Sequence, residues 1–143
     1  MKNALPRIAI ILAAFLFPAI CLAQSETGYV RSSPAYAEVL LRKTELQADL
    51  EAYSADYTET NPKLLDMRFE LVSLDKETER IFAVRPTEAS KLTLALGKLM
   101  VRKATIAAEL NRLSRSYNKD HPEVKRAVKK LGIFESAIKE ILR

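Results

Sequence analysis

Cysteine, histidine and glycine are scarce in this sequence, and each shortage argues against a class of function. The 143 residues include one cysteine, one histidine and three glycines, and no tryptophan. So little glycine argues against a sheet with tight turns and against a glycine-rich loop that cradles phosphates. A single histidine and a single cysteine also leave few side chains for nucleophilic or metal chemistry.

The first 23 residues have the pattern of a secretory signal peptide. Lys2 and Arg7 precede an uninterrupted apolar run over residues 8–17, and the segment ends at the small residue Ala23. This order of charge, apolar run and small residue is typical of exported chains. A retained membrane anchor is the alternative, but a spanning helix needs about 20 apolar residues. We therefore predict cleavage near Ala23 and a periplasmic or secreted protein.

The only cysteine, Cys21, lies inside this segment. Lipidation of Cys21 is an alternative to cleavage after Ala23, but the bulky Ile20 stands where that processing prefers a small residue. Cleavage after Ala23 leaves a chain without cysteine. We therefore expect no disulfide, no thiol nucleophile and no thiolate metal site.

The rest of the chain is an internal repeat with a period of 60 residues. A shift by 60 aligns residues 35–83 with residues 95–143 without a gap, and ten of the 49 aligned pairs are identical. The identical pairs include Arg42 with Arg102, Lys43 with Lys103, Tyr57 with Tyr117 and Pro62 with Pro122. Self-similarity at a fixed period indicates duplicated supersecondary units.

Each unit is predicted to be a helical hairpin, because its apolar residues alternate at spacings of three and four. Such a row is the seam of a coiled coil, the line of side chains that faces the partner helix. The outgoing seams are Lys43, Leu46, Leu50, Tyr53 and Tyr57 in the first unit and Leu92, Leu96, Leu99, Lys103, Ile106, Leu110, Leu113 and Tyr117 in the second. Lys43 and Lys103 interrupt the seams at equivalent places, and a polar seam residue costs stability but sets register.

Proline marks the turn of each hairpin. Asn61 precedes Pro62 in the first unit, and His121 precedes Pro122 in the second. A capping residue followed by proline is typical of a helix start, since the first helical turn does not need the missing N–H of proline. We predict that the return helices begin at these prolines.

The expected architecture is all-α, with two tandem antiparallel, coiled-coil-like helical hairpins. We assign residues 24–32 to a flexible lead-in, residues 33–85 to the first hairpin and residues 86–143 to the second hairpin. Residues 24–85 hold 8 basic and 12 acidic residues, a net charge of −4, whereas the second hairpin holds 13 and 6, a net charge of +7. Opposite charges favour packing of the hairpins into a four-helix bundle or into an antiparallel dimer.

No group of residues forms a recognisable catalytic or metal-binding pattern. His121 is the only histidine, and its counterpart Asn61 shares its helix-capping ability but not its affinity for metals, so we predict a cap rather than a ligand. Glu77 and Glu79 are interpreted as two of many acids on a helix surface. We expect no catalytic residue, no cofactor and no bound metal.

Two sets of residues are candidates for contact with a partner. Tyr57 and Tyr117 lie four residues before the capping residues, where each ring is expected to cover the last core layer, with an exposed partner contact as the alternative. The basic stripe, which avoids the seam of the second return helix, consists of Lys125, Arg126, Lys129 and Lys130. Solubility and pairing with the acidic first hairpin would explain the stripe, and an anionic envelope component is the alternative.

The tip of the second hairpin resembles the periplasmic coiled-coil region of polysaccharide co-polymerases, the chain-length determinant proteins. The pattern consists of Leu110, Leu113, Tyr117, His121, Pro122 and Val124, with a diverged copy in Leu50, Tyr53, Tyr57, Asn61, Pro62 and Leu64. Co-polymerases carry membrane-spanning helices on both sides of this region, and this sequence shows no second apolar segment and no kinase motif. The resemblance implies a hairpin geometry in the cell envelope rather than co-polymerase activity.

The expected function is that of an exported, non-catalytic helical-hairpin protein that docks on a cell-envelope complex, with a link to exopolysaccharide assembly or export implied by the resemblance. The expected partner is an envelope protein or protein complex, with an anionic polymer and a homodimer or higher homo-oligomer as alternatives. Nucleic acid is not expected, because no aromatic residues alternate with the basic ones for base stacking. The alternative function is a small periplasmic holdase chaperone, although we predict no strand region for subunit assembly.

Overall fold

The computed structural model describes residues 27–143, and this part of the chain is helical with no strand. The predicted signal peptide and residues 24–26 lie outside the described residues. The helices are α1 (Gly28–Arg31), α2 (Pro34–Ser54), α3 (Pro62–Phe82), a 3-10 helix (Pro86–Lys91), α4 (Leu94–Ser116) and α5 (Pro122–Leu142). Helices α2 and α3 form one antiparallel hairpin and α4 and α5 form the other, which confirms the predicted all-α fold.

The outgoing helices begin with the same cap at positions that are 60 residues apart. The Ser33 side chain accepts a hydrogen bond from the Tyr36 N–H, and the Thr93 side chain accepts one from the Leu96 N–H, each at 3.2 Å. These bonds satisfy backbone donors that have no partner inside the helix. The repeat therefore includes the capping residues Ser33 and Thr93, which fix where each outgoing helix starts.

Helix α4 is the central element of the described structure. It packs against α2, α3 and α5, whereas α5 packs chiefly against α4. At one end the Ala35 N–H donates to the Leu92 carbonyl at 3.3 Å, and at the other Arg115 forms an ion pair with Asp66. The hairpins therefore lie side by side with their turns at the same end. We call residues 55–61 and 117–121 the hairpin tips.

The core consists of apolar seam residues, of a second row on α4, and of Val30, Ala35 and Val39, which precede the seam of the first hairpin. Leu96 of the predicted seam and Leu64, Leu74 and Ile138 of the return helices are at most 1% exposed. Burial of one such side chain contributes about 1.5–3 kcal/mol. The second row on α4, which was not predicted, consists of Gly97, Met100, Ala104 and Ala108. It is buried because α4 also packs against the first hairpin.

The flexible lead-in predicted for residues 24–32 is wrong from Gly28 onward, where the chain forms α1. Val30 is 1% exposed and belongs to the main core, and the Tyr29 hydroxyl donates a hydrogen bond to the Val84 carbonyl. Burial of Val30 and this hydrogen bond offset the conformational entropy that is lost when the segment becomes ordered.

Ion pairs hold the 3-10 helix that connects the two hairpins. The Glu88 carboxylate accepts hydrogen bonds from Arg85 at 2.9 Å and Lys91 at 2.6 Å, which lower the pKa of Glu88 to about 2. Lys91 also donates to the Leu142 carbonyl at 3.2 Å. The bond to Leu142 fastens the 3-10 helix to the end of α5. None of the helices within residues 27–143 has the length and apolar character of a membrane span.

Candidate functional site

The two hairpin tips are built alike. Asn61 accepts a hydrogen bond from the Lys63 N–H at 2.9 Å through its side-chain oxygen, and His121 accepts one from the Glu123 N–H at 3.3 Å through Nδ1. Both residues are N-caps, and Pro62 and Pro122 are the first residues of the helices that follow. Because Nδ1 of His121 accepts a hydrogen bond, the lone pair on that nitrogen is engaged in capping.

The tip tyrosines were expected to cover the last core layer. Both are instead about half exposed. Tyr57 is 50% exposed and lies against Tyr53, with ring centroids 5.8 Å apart. Tyr117 is 47% exposed and stacks on His121, with centroids 3.9 Å apart and planes 17° apart. Each ring is thus supported on one side by an aromatic neighbour and leaves its other side open to solvent.

The ion pair between Arg115 and Asp66 links the second tip region to the start of α3. It places both tyrosine-bearing tips at one end of the molecule. Lys63 lies over the Tyr53 ring at 3.4 Å from the centroid, which adds a cation–π contact beneath Tyr57. Aromatic side chains that are already supported lose little conformational entropy on binding, so this end is suited to contact with a protein.

The basic stripe is exposed along its whole length. Lys125 pairs with Asp120 at 3.0 Å, and Arg126 pairs with Glu123. Lys129 and Lys130 have no acidic partner among residues 27–143. The first two cations are therefore partly neutralised within the second hairpin, and the last two carry the attraction for an anionic group.

Glu77 does not lie on a helix surface as predicted; its side chain is buried between the hairpins. It accepts hydrogen bonds from Lys103 at 2.5 Å and from Arg80 at 3.1 Å, and the residue is 3% exposed. Both cations also contact Glu135 of α5, at 2.7 Å for Lys103 and 3.0 Å for Arg80. The reason is that α4 covers this face of α3, so the carboxylate is buried together with its partners.

Glu70 is a second buried carboxylate on the same face of α3, 7% exposed. It accepts hydrogen bonds from Nε of Arg42 at 2.9 Å and from the Thr105 hydroxyl at 3.0 Å. In the sequence, Glu70, Leu74, Glu77 and Ile81 follow the 4,3,4 spacing of a buried row. That spacing was the signal that could have identified both carboxylates.

Glu77, Arg80, Lys103 and Glu135 form one charge network that joins α3, α4 and α5. Burial raises the pKa of Glu135, but the hydrogen bond from Lys103 and the positive charges of Arg80 and Lys103 outweigh this effect and hold the pKa below its usual value of 4.5. All side-chain polar atoms buried within the described residues have hydrogen-bond partners. The network therefore fixes the register of the hairpins.

Within residues 27–143, no group of three or more His, Cys, Asp or Glu side chains is placed to hold a metal ion. No protein-family model matches the chain, and no curated protein and no solved structure matches it either.

Proposed function

We propose that this chain is an exported, non-catalytic helical-hairpin protein that docks on a protein complex of the cell envelope through its two tips. The observation that carries the proposal is the placement of two half-exposed, ring-supported tyrosines, Tyr57 and Tyr117, at the same end of the molecule. Tyrosine is enriched at the centres of protein interfaces, where its ring is buried and its hydroxyl finds a polar partner.

The basic stripe extends the proposed docking surface along α5 from the second tip. Lys129 and Lys130 are exposed next to Val128, which is 52% exposed. Cations at the rim of an interface speed association and select an acidic partner more than they add affinity. We propose that the tips supply the contact area and that the basic stripe selects a partner with an acidic surface.

The resemblance of the tips to co-polymerase hairpins extends this proposal to a complex that assembles or exports polysaccharide. The supporting residues are the Tyr117, His121 and Pro122 motif and its first-hairpin copy. An anionic polymer is the alternative ligand for the basic stripe.

A small holdase chaperone is the second candidate function, and a row of apolar side chains on α3 favours it. Leu65, Phe69 and Val72 are 37%, 37% and 53% exposed and recur at spacings of four and three, so they line one face of the helix. Phe69 also lines a cleft between α3 and α5, together with Ala104 and Ala107 of α4. An exposed apolar row of this kind suits unfolded client segments.

Site-specific photocross-linking in cells tests the proposal. Benzoylphenylalanine replaces one residue in each of four variants: Tyr57, Tyr117, Phe69 or, as a control, Phe82. Phe82 is a suitable control because it is 37% exposed and lies at the end of the molecule away from the tips. We expect one dominant envelope partner from both tip positions and none from Phe82.

The result is read together with Tyr57→Ala/Tyr117→Ala, which should keep the helical circular dichroism spectrum and lose the partner. A broad set of outer-membrane clients, cross-linked mainly from position 69, would favour the chaperone. A partner that stays bound to the double alanine variant would show that the tips do not dock.

A further inference from the structure

Two helix faces are exposed although the equivalent faces of the other hairpin, 60 residues away in sequence, are covered. On α4, Met100, Ala104 and Ala108 are at most 6% exposed, and Gly97 is buried against α2. The residues 60 positions earlier on α2 are Ala37, Leu40, Thr44 and Ala48, and all four are exposed. Leu40 is 45% exposed and its neighbour Leu41 is 58% exposed. The face of α2 that corresponds to the hairpin–hairpin contact of α4 is therefore open.

Helix α5 also has an exposed face, and the equivalent face of α3 is covered. On α3, the face covered by α4 carries five residues that are buried or partly buried: Asp66, Glu70, Ser73, Glu77 and Arg80. The equivalent residues on α5 are Arg126, Lys130, Ile133, Ala137 and Glu140, of which all but Ala137 are exposed. Ile133 is 68% exposed, the highest value among the large apolar residues of the described chain.

The charges on these two open faces are complementary. Within the molecule, Glu70 of α3 accepts bonds from Arg42 and Thr105. The positions equivalent to these three residues hold Lys130, Arg102 and Glu45 respectively. In this equivalent set the acid, Glu45, lies on an outgoing helix, and the two cations, Arg102 and Lys130, lie on the second hairpin. The side chain of Glu45 is 53% exposed, and its one ion pair within residues 27–143 is a long contact of 3.4 Å with Arg42.

We propose that a second copy of this chain covers these faces, with α2 of one copy packed on α4 and α5 of the next. Glu45 of one copy then lies between Lys130 and Arg102 of its neighbour, as Glu70 lies between Arg42 and Thr105 within each copy. The exposed Leu40, Leu41 and Ile133 are buried in the same contact. The assembly repeats the packing of the first hairpin on the second, as stacked repeat proteins do.

Such a contact is heterologous, because two different faces meet, and it generates a closed ring or an open stack. The faces lie along the sides of the hairpins, so both tips of every copy remain exposed at one end. Arg126 and Lys130 are covered in the assembly, whereas Lys125 and Lys129 of the basic stripe lie outside the covered face and remain open to a docking partner. The inference goes beyond docking and does not depend on it, because it concerns only copies of this chain.

Sedimentation velocity of the purified protein over a range of concentrations up to about 1 mM tests the inference. We expect reversible association beyond the monomer that weakens with added salt. Glu45→Lys and Lys130→Glu, each alone, should raise the dissociation constant at least about tenfold, because like charges then face each other. Both residues are exposed, so both variants should keep the circular dichroism spectrum of the unchanged protein.

Mixing the two single variants provides the sharpest result. The reversed charge at position 45 of one variant then faces the reversed charge at position 130 of the other, so opposite charges meet again. The second kind of contact in the mixture keeps its original Glu45 and Lys130. We expect association to return in part in the mixture and in the double variant, because the introduced glutamate attracts the introduced lysine while Arg102 still repels it. The matched controls are Glu79→Lys and Lys119→Glu, which reverse charges on exposed residues outside both faces and should leave association unchanged.

A monomer at every concentration would overturn the inference. So would association that Glu45→Lys and Lys130→Glu leave unchanged, or single-variant defects that mixing does not repair. These outcomes are distinct from failure of the docking proposal, which is read from cross-links at the tips.

Discussion

At the scale of single residues, Gly97 marks the closest approach of the two hairpins. A Cβ at this position would lie 2.9 Å from the Cα and carbonyl oxygen of Ala35 and 2.9 Å from the Cβ of Glu38. Backbone atoms cannot move aside as the end of a flexible side chain can, so α2 would have to shift away from α4. We expect Gly97→Ala to lower the free energy of unfolding in urea by about 1–3 kcal/mol, the range for overpacked cores.

Gly132 is the matched control for this substitution. It also lies inside a helix, α5, but nothing approaches an added Cβ within 4 Å. Alanine is more favourable than glycine in a helix by about 1 kcal/mol, so Gly132→Ala should raise the free energy of unfolding by up to that amount. A stabilising effect of Gly97→Ala would contradict the close packing of α4 on α2.

Lys43 and Lys103 occupy equivalent positions but differ in what they neutralise. Each pairs with the equivalent acid of its own return helix, Lys43 with Asp75 at 2.5 Å and Lys103 with Glu135 at 2.7 Å. Lys103 also neutralises Glu77, whose side chain is 4% exposed, whereas that of Asp75 is 56% exposed. Loss of a partner is more costly for a buried carboxylate than for one that water can solvate.

We therefore expect Lys103→Met to lower the free energy of unfolding by about 1–3 kcal/mol. Lys43→Met should cost at most about 1 kcal/mol, as for exposed ion pairs. Denaturation of both variants in the same buffer measures the difference directly. Equal costs would indicate that Glu77 keeps its hydration or that Arg80 alone satisfies it.

At the scale of helices, Glu135 connects three of them and gives stability a pH dependence. Its carboxylate on α5 contacts Arg80 of α3, Lys103 of α4 and, at 3.5 Å, Lys139 of α5. The pKa of Glu135 is lower in the folded chain than its usual value of 4.5. A group of this kind stabilises the fold above its unfolded-state pKa, and this contribution is lost as the pH falls through the folded-state pKa.

Glu135→Gln removes this contribution and leaves a side chain of similar size. We expect the difference in free energy of unfolding between the unchanged protein and Glu135→Gln to be constant at neutral pH and to shrink as the pH falls below about 4.5. Urea denaturation at a series of pH values measures it. A difference that grows on acidification would show that the folded state does not favour the ionised form.

The helices themselves were largely predictable from the sequence, because their signals are local. Seam periodicity identified both hairpins, and the Asn61–Pro62 and His121–Pro122 pairs identified the return helices, which begin at Pro62 and Pro122. The second buried row on α4 was not predicted, because the repeat makes α2 and α4 look alike in sequence. Only the position of α4 between its neighbours buries that row, and this position is a property of the tertiary fold.

The candidate site was predictable only in part, because some of its features depend on tertiary packing. The positions of the tip tyrosines and of the basic stripe follow from local sequence. The half-exposure of Tyr57 and Tyr117 and their placement at one end depend on how the hairpins pack. Burial of Glu70 and Glu77 likewise depends on contacts between residues that are 26 to 35 positions apart in sequence, such as those with Lys103 and Thr105.

At the scale of the whole molecule, the hairpins share one core and are not independent units. The main core includes Val39, Leu74 and Ile81 of the first hairpin together with Leu96 and Met100 of the second. The second hairpin alone retains a small cluster near its tip, built on Leu113, Val124 and Ala127. Separation would expose the second row of α4 to water, at a cost proportional to the apolar area uncovered.

We therefore expect residues 33–85 and residues 86–143, produced separately, to be weakly helical and to unfold without a sharp transition. Mixed in equal amounts at low salt, they should regain helical circular dichroism and a cooperative melt. The attraction between an acidic fragment with a net charge of −4 and a basic one with a net charge of +7 assists their encounter. Gly97→Ala in the second fragment should weaken this recovery, because the added methyl group meets Ala35 at the reconstituted contact. A second fragment that melts cooperatively by itself would instead show that its tip cluster suffices, and that α4 does not need the first hairpin to fold.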